Sequence, residues 1–241
     1  MTSALAINLL SSLLAFLLGG AARGLHQRWK AVGPARRVWR LGRSAEVVLA
    51  LSDGPGHATT LPTLYEGDAE AAGTVAAYLR SVCGARTRII RASTFSRVRD
   101  AHSDLVVIGG ARANGLYKEI DRRVSMPYRF TLYRDRADLV RLADGRVFAQ
   151  EVMHAKTVRD FAAISFLPNP FDPDRRIVIL AGCGMQATVA AAKMVTADGI
   201  RKIARLRPPV TPFSVVIEIE IIDGQATKPH ITDVVHWSIR A

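Results

Sequence analysis

Cysteine is scarce in this chain. Cys83 and Cys183 are the only two in 241 residues, with no CxxC and no metal-type spacing. That excludes a disulfide framework and a thiolate zinc site. The six histidines are scattered, none paired with another at helical ligand spacing, so no metal site is expected. There is no short-period repeat and no low-complexity segment beyond the apolar N-terminus. Acid is missing from one region altogether. Residues 1–45 hold seven of the 33 basic side chains (Arg23, Arg28, Lys30, Arg36, Arg37, Arg40, Arg43) and none of the 21 acidic ones. The net charge of +12 is therefore concentrated at one end.

What precedes that basic segment is an uncharged run, Ala4 to Ala22, ALAINLLSSLLAFLLGGAA. At about 1.5 Å per residue it spans about 28 Å, close to the hydrocarbon thickness of a bilayer. A cleaved signal peptide and a buried helix are the competing readings. A signal peptide wants positive charge before the apolar stretch, and here the charge follows it. The pattern predicts a transmembrane anchor over 1–22, with the C-terminal side in the cytoplasm. Residues 23–44 then read as a basic juxtamembrane linker facing anionic lipid, with Trp29 and Trp39 at the interface. A solvated linker and a nucleic-acid contact are the other readings of the same charges. Nucleic acid ranks below lipid because basic runs beside a span usually set topology.

From residue 45 onward the chain has the period of an α/β domain. Val47–Leu51, Asp104–Ile108 and Ile177–Leu180 are short continuous apolar runs, as in parallel strands covered on both faces. Apolar residues at Ala72, Val75, Ala76, Leu79 and Val82 have helical spacing, with Gly84 placed for a C-cap. The middle of the chain reads as strands joined by short turns, one of them at Asp144-Gly145. The Pro/Asp-rich segment 168–174 is expected to be a surface loop. A final hairpin should turn at Asp223-Gly224. The fold class predicted is α/β: one three-layer domain over 45–241, with a mixed sheet that is parallel at its centre.

Three apolar strands end in glycines followed by polar residues: LALSDGPG, VVIGGARAN and VILAGCGMQAT. In open α/β sheets ligands bind outside the carboxyl ends of the strands, and helix N-termini there offer free N–H groups to an anion. Gly182, Gly184, Gln186 and Thr188 are thus candidates to cradle a phosphate or ribose. Gly109, Gly110 and Asn114 form a second corner. The alternative for all of them is tight strand–helix packing with no ligand. Gly182, Gly184 and Ala187 satisfy the GxGxxA form of the dinucleotide fingerprint. The acid expected about twenty residues on is met only by Asp198, past the helix, which argues against a dinucleotide dehydrogenase. The long polar segment from Asp53 to Asp68 supplies the acid/base candidates Glu66 and Asp53. Glu66, Asp68 and Glu70 at a helix start equally suit the helix dipole. His57 is the one histidine in a site loop, and a plain surface role is the competing reading. Cys183 sits where a helix N-terminus can activate a thiol, but no histidine partner is visible.

The segments VVIGGARAN and NPFDPDRRIVILAGCGMQATVAAA resemble Rossmann-like domains of unassigned function found in bacterial signalling and conflict-type proteins. The resemblance covers about residues 45–200 and carries no catalytic residue to this chain. TIR-type and SLOG-type signatures are absent. The expectation is a membrane-anchored binding or sensor module for a nucleotide-like, phosphorylated small molecule. An enzyme acting on such a ligand and a ligand-free scaffold remain the alternatives.

Overall fold

A computed structural model describes residues 32–41, 45–54, 64–133, 136–154, 156–206 and 212–239, together with residues 16 and 19. The expected anchor, Trp29 and His57 lie outside the described residues, save those two isolated positions in the anchor. Among the described residues no helix is long and apolar enough to cross a membrane.

Helix α1 covers residues 32–39. There follow β1 (Glu46–Leu51), α2 (Glu66–Tyr78), β2 (Arg86–Arg91), α3 (Arg97–Asp100), β3 (Asp104–Ile108) and α4 (Gly115–Val124). Next come β4 (Tyr128–Tyr133), β5 (Arg136–Arg141), β6 (Val147–Phe148), β7 (Glu151–Met153), β8 (Lys156–Asn169) and β9 (Asp172–Gly182). The chain closes with α5 (Met185–Met194), α6 (Ala197–Arg205), β10 (Phe213–Ile222), β11 (Gln225–Ala226) and β12 (His230–His236).

The expected mixed sheet is present. β2, β1, β3 and β9 run parallel, in that spatial order. β9 then pairs antiparallel with β8, β8 with β10 and β10 with β12. Both halves are two-faced because side chains alternate along every strand. Val47, Leu49, Val106, Ile108, Val178, Leu180, Ile164 and Ile217 point to one face, where α1, α2, α5 and α6 cover them. Val48, Val107 and Ile179 point to the other, under Leu116, Tyr117 and Ile120 of α4. On that second face the antiparallel half carries no helix among the described residues. The β4–β5–β6 meander covers it instead, with Tyr128, Leu139 and Phe148 packed on Phe161, Ala163 and Val216.

Two expectations change. The basic segment 23–44 is not all linker: α1 belongs to the domain, with Ala35, Val38 and Trp39 in the core. Trp39 is 2% exposed, and its indole N–H donates to the Val195 carbonyl at 3.1 Å. Apolar contact plus a satisfied indole N–H outweighs any preference for an interface. Nor is segment 168–174 a loop. β8 runs to Asn169 and β9 begins at Asp172. Asn169 ties this tight turn down, donating to the carbonyls of Ala101 and Ser103 and accepting from Phe171 N–H. The turn at Asp223-Gly224 forms as expected, with φ positive at both residues. Gly84, also left-handed, ends a π-helical turn, Leu79–Cys83, that continues α2.

Candidate functional site

Because β1, β3 and β9 are parallel neighbours, their carboxyl ends meet at one edge. Ser52 N–H donates to Ile108 O at 3.2 Å, and Gly109 N–H to Leu180 O at 2.9 Å. The glycine corners after β3 and β9 are therefore adjacent, beside the end of β1. What fills those two is the chain itself.

Gly109 has φ +98, a conformation costly to any residue with a Cβ. A Cβ there would lie 1.9 Å from Ser52 Oγ and 2.7 Å from Asp68 Oδ2. Asp68, from the first turn of α2, accepts from Ser52 N–H at 3.2 Å and is 6% exposed. Burial pushes its carboxyl above the usual range, and the Ser52 hydrogen bonds pull the other way. Gly110 lies beside Gly182 O and the Phe130 ring. Asn114 is fully buried. It caps α4 by accepting from Tyr117 N–H, and its amide donates to Ala50 O and Ile108 O. Its polar atoms are thus spent inside the fold.

At the third corner a Cβ on Gly182 would lie 2.5 Å from both Gly184 O and Thr188 N. Thr188, 4% exposed, closes this turn, its hydroxyl accepting from Gly182 N–H and donating to Gly184 O. Gly184 is the N-cap of α5 and is extended, with φ −124, so positive-φ strain plays no part. Its missing side chain makes room for Asp160 Oδ2, which an added Cβ would approach to 2.5 Å.

Asp160, on β8 and 1% exposed, is the centre of the edge. Its carboxylate accepts from Phe161 N–H at 2.8 Å and faces three further donors, the N–H groups of Ala187 and Gly184 and the Gln150 amide. The α5 N-terminus is an anion site, and an internal carboxylate already fills it. Burial raises this carboxyl to about 6, although each of those donors favours the charged form. Gln150 N–H donates to Asp138, a second buried carboxylate. Burial first, then Asp160 and Asp138, hold the Cys183 thiol well above its ordinary value. The helix N-terminus does not activate it; the thiol stays protonated.

Outside Asp160 lies a groove of about 700 Å³ between the β7–β8 turn, the start of α5 and the β10–β11 turn. Gln150, His154, Lys156, Thr157, Asp160, Gln186 and Asp223 supply its polar lining. Gln186 donates from its amide to Gly224 O at 2.8 Å, and its Oε1 is buried with no partner among the described residues. This bridge separates the groove from a smaller recess of about 270 Å³ that includes Glu66, Glu70 and Lys193. Glu66 is exposed at the α2 start. Asp53 is elsewhere, accepting from the N–H and hydroxyl of Ser93. The structure thus brings Gln186 and Gly184 to the groove and leaves Asp53 outside it.

Sequence reasoning passed over Asp160 and read Asp68 only as an acid suited to the helix dipole, although each carried a signal. Asp160 shares its strand face with Ala162, Ile164 and Phe166, all buried. Asp68 lies on the helical stripe of Ala71, Ala72 and Val75. A lone acid on an apolar stripe marks a buried carboxylate. Among the described residues no group of three or more His, Cys, Asp or Glu is placed to hold a metal ion. Compared with models of known protein families and with curated proteins, the chain matches none.

Proposed function

We propose that this chain is a membrane-tethered, Rossmann-like binding or sensor module whose ligand is a small nucleotide-like molecule in the groove beside α5. The observation that carries this reading is the groove of about 700 Å³ with the buried carboxylate Asp160 in its wall, at the edge where α/β sheets bind ligands. Gln150, Gln186 and Asp160 suit the hydroxyls and amides of a nucleoside. A phosphate on such a ligand meets Lys156 and His154, since the α5 N-terminus is already neutralised. Binding is favoured over catalysis because Cys183 is held protonated and has no histidine partner among the described contacts. The tether rests on the uncharged run 4–22 and the basic residues after it.

One observation favours an enzyme as the second reading. A carboxyl raised to about 6 in a groove can serve as general acid and base near neutral pH, and that group is Asp160 rather than Glu66 or Asp53. A thermal-shift screen of the full chain in neutral detergent, against nucleotides and dinucleotides, tests both. Stabilisation by a ligand recovered unchanged supports the sensor. Turnover abolished in Asp160→Asn supports the enzyme. No shift with any nucleotide leaves the scaffold.

A further inference from the structure

Away from the groove, on the face covered by α4, lies a recess of about 520 Å³ lined by Arg97, Gly115, Glu119, Arg122 and Arg123. Arg97 and Arg123 converge there from α3 and α4. Both pair with the same carboxylate, Glu119, Arg123 at 3.5 Å. Both guanidinium groups also lie over the Phe171 ring, with centroid distances of 5.6 Å and 5.1 Å. Shared ring and shared carboxylate hold the two cations in place and reduce the side-chain ordering a ligand must impose. Arg122 is exposed in the same recess. Three guanidinium groups and one carboxylate thus line the recess, leaving about two positive charges unbalanced. The missing Cβ of Gly115 leaves open space beside the first turn of α4.

We infer that this recess binds a phosphate group through Arg97, Arg122 and Arg123. Guanidinium forks match the oxygens of a phosphate dianion, and such a dianion supplies the charge that Glu119 does not. The site stands apart from the groove and does not depend on what the groove binds. The phosphate can belong to a soluble phosphorylated compound or to a lipid headgroup, and one experiment separates them.

The full chain in neutral detergent micelles is titrated with inorganic pyrophosphate, and separately with phosphatidic acid mixed into the micelles. Melting temperature and equilibrium binding are read. Arg122→Ala, Arg97→Ala and the control Lys118→Ala, an exposed cation of α4 outside the recess, are measured alongside. Arg122→Ala is expected to weaken the bound probe about tenfold, the loss of one charge-assisted contact. Arg97→Ala should weaken it at least as much, and Lys118→Ala by less than about twofold. Pyrophosphate bound with this pattern assigns a soluble ligand; phosphatidic acid alone bound with it assigns a lipid headgroup. Binding of neither probe, or binding that Arg122→Ala and Arg97→Ala leave unchanged, overturns the site. Asp160→Asn should leave this binding intact, which keeps the result separate from the fate of the groove.

Discussion

Asp160 couples protonation to folding. Its carboxyl is raised to about 6 in the folded state, against roughly 4 in an unfolded chain. The folded protein therefore holds this proton more tightly. The stabilisation is complete below roughly pH 4 and is lost as pH rises through about 6, by the order of 2–3 kcal/mol. Asp68, raised in the same direction, adds a slope that an Asp160 variant retains. The melting temperature of the native chain minus that of Asp160→Asn should fall between pH 4 and 7; a difference that stays constant would show that Asp160 does not titrate there. Gly109 offers a second residue-scale test. Its φ of +98 and the 1.9 Å approach to Ser52 Oγ predict that Gly109→Ala costs about 2–4 kcal/mol in urea unfolding. Gly115→Ala, with nothing within 4 Å of the new methyl, should cost nothing or slightly stabilise the helix. Equal effects from the two would contradict both the backbone strain and the close approach read at Gly109.

Helix α1 shows what a single element contributes and how far sequence reveals it. Trp39→Phe keeps most of the ring volume and removes the N–H donated to Val195 O, so a loss of about 1 kcal/mol is expected by urea denaturation. Trp39→Ala should cost about 3–5 kcal/mol by leaving a core cavity. A near-neutral Trp39→Ala would return α1 to the status of a linker. Three of the four parallel strands were legible because Val47–Leu51, Asp104–Ile108 and Ile177–Leu180 are nearly continuous apolar runs. The final hairpin was legible because Asp223-Gly224 permits a two-residue turn. α1 was not, since it lies in an acid-free basic segment and only Ala35, Val38 and Trp39 of it face inward. The glycine corners after β3 and β9 fall at neighbouring strand ends, but what occupies them was hidden. Asp160 reaches Gly184 from another strand, and no spacing along the chain encodes that approach. The turn at Asn169 was obscured in the same way, because its anchors, Ala101 and Ser103, are distant in sequence.

At the scale of the molecule, the tether is tested by fractionation. The full chain should remain with membranes through a carbonate wash; release of an intact chain, or secretion of a shortened one, would remove the anchor. The sheet also has a seam with a kinetic meaning. On one side of β9, contacts close short loops: Ala162 pairs with Gly182 across the β8–β9 turn. On the other, Leu105 must find Ile177, with the whole meander in between. Loop closure makes distant pairings slower to form. The β8–β9 pairing should therefore gain protection in pulsed hydrogen exchange before the β3–β9 pairing; simultaneous protection of the two would contradict this order. Until β3 arrives, the edge of β9 is an open row of amides and carbonyls beside Ile177–Leu180. That makes the half-assembled sheet the species most exposed to edge-to-edge aggregation.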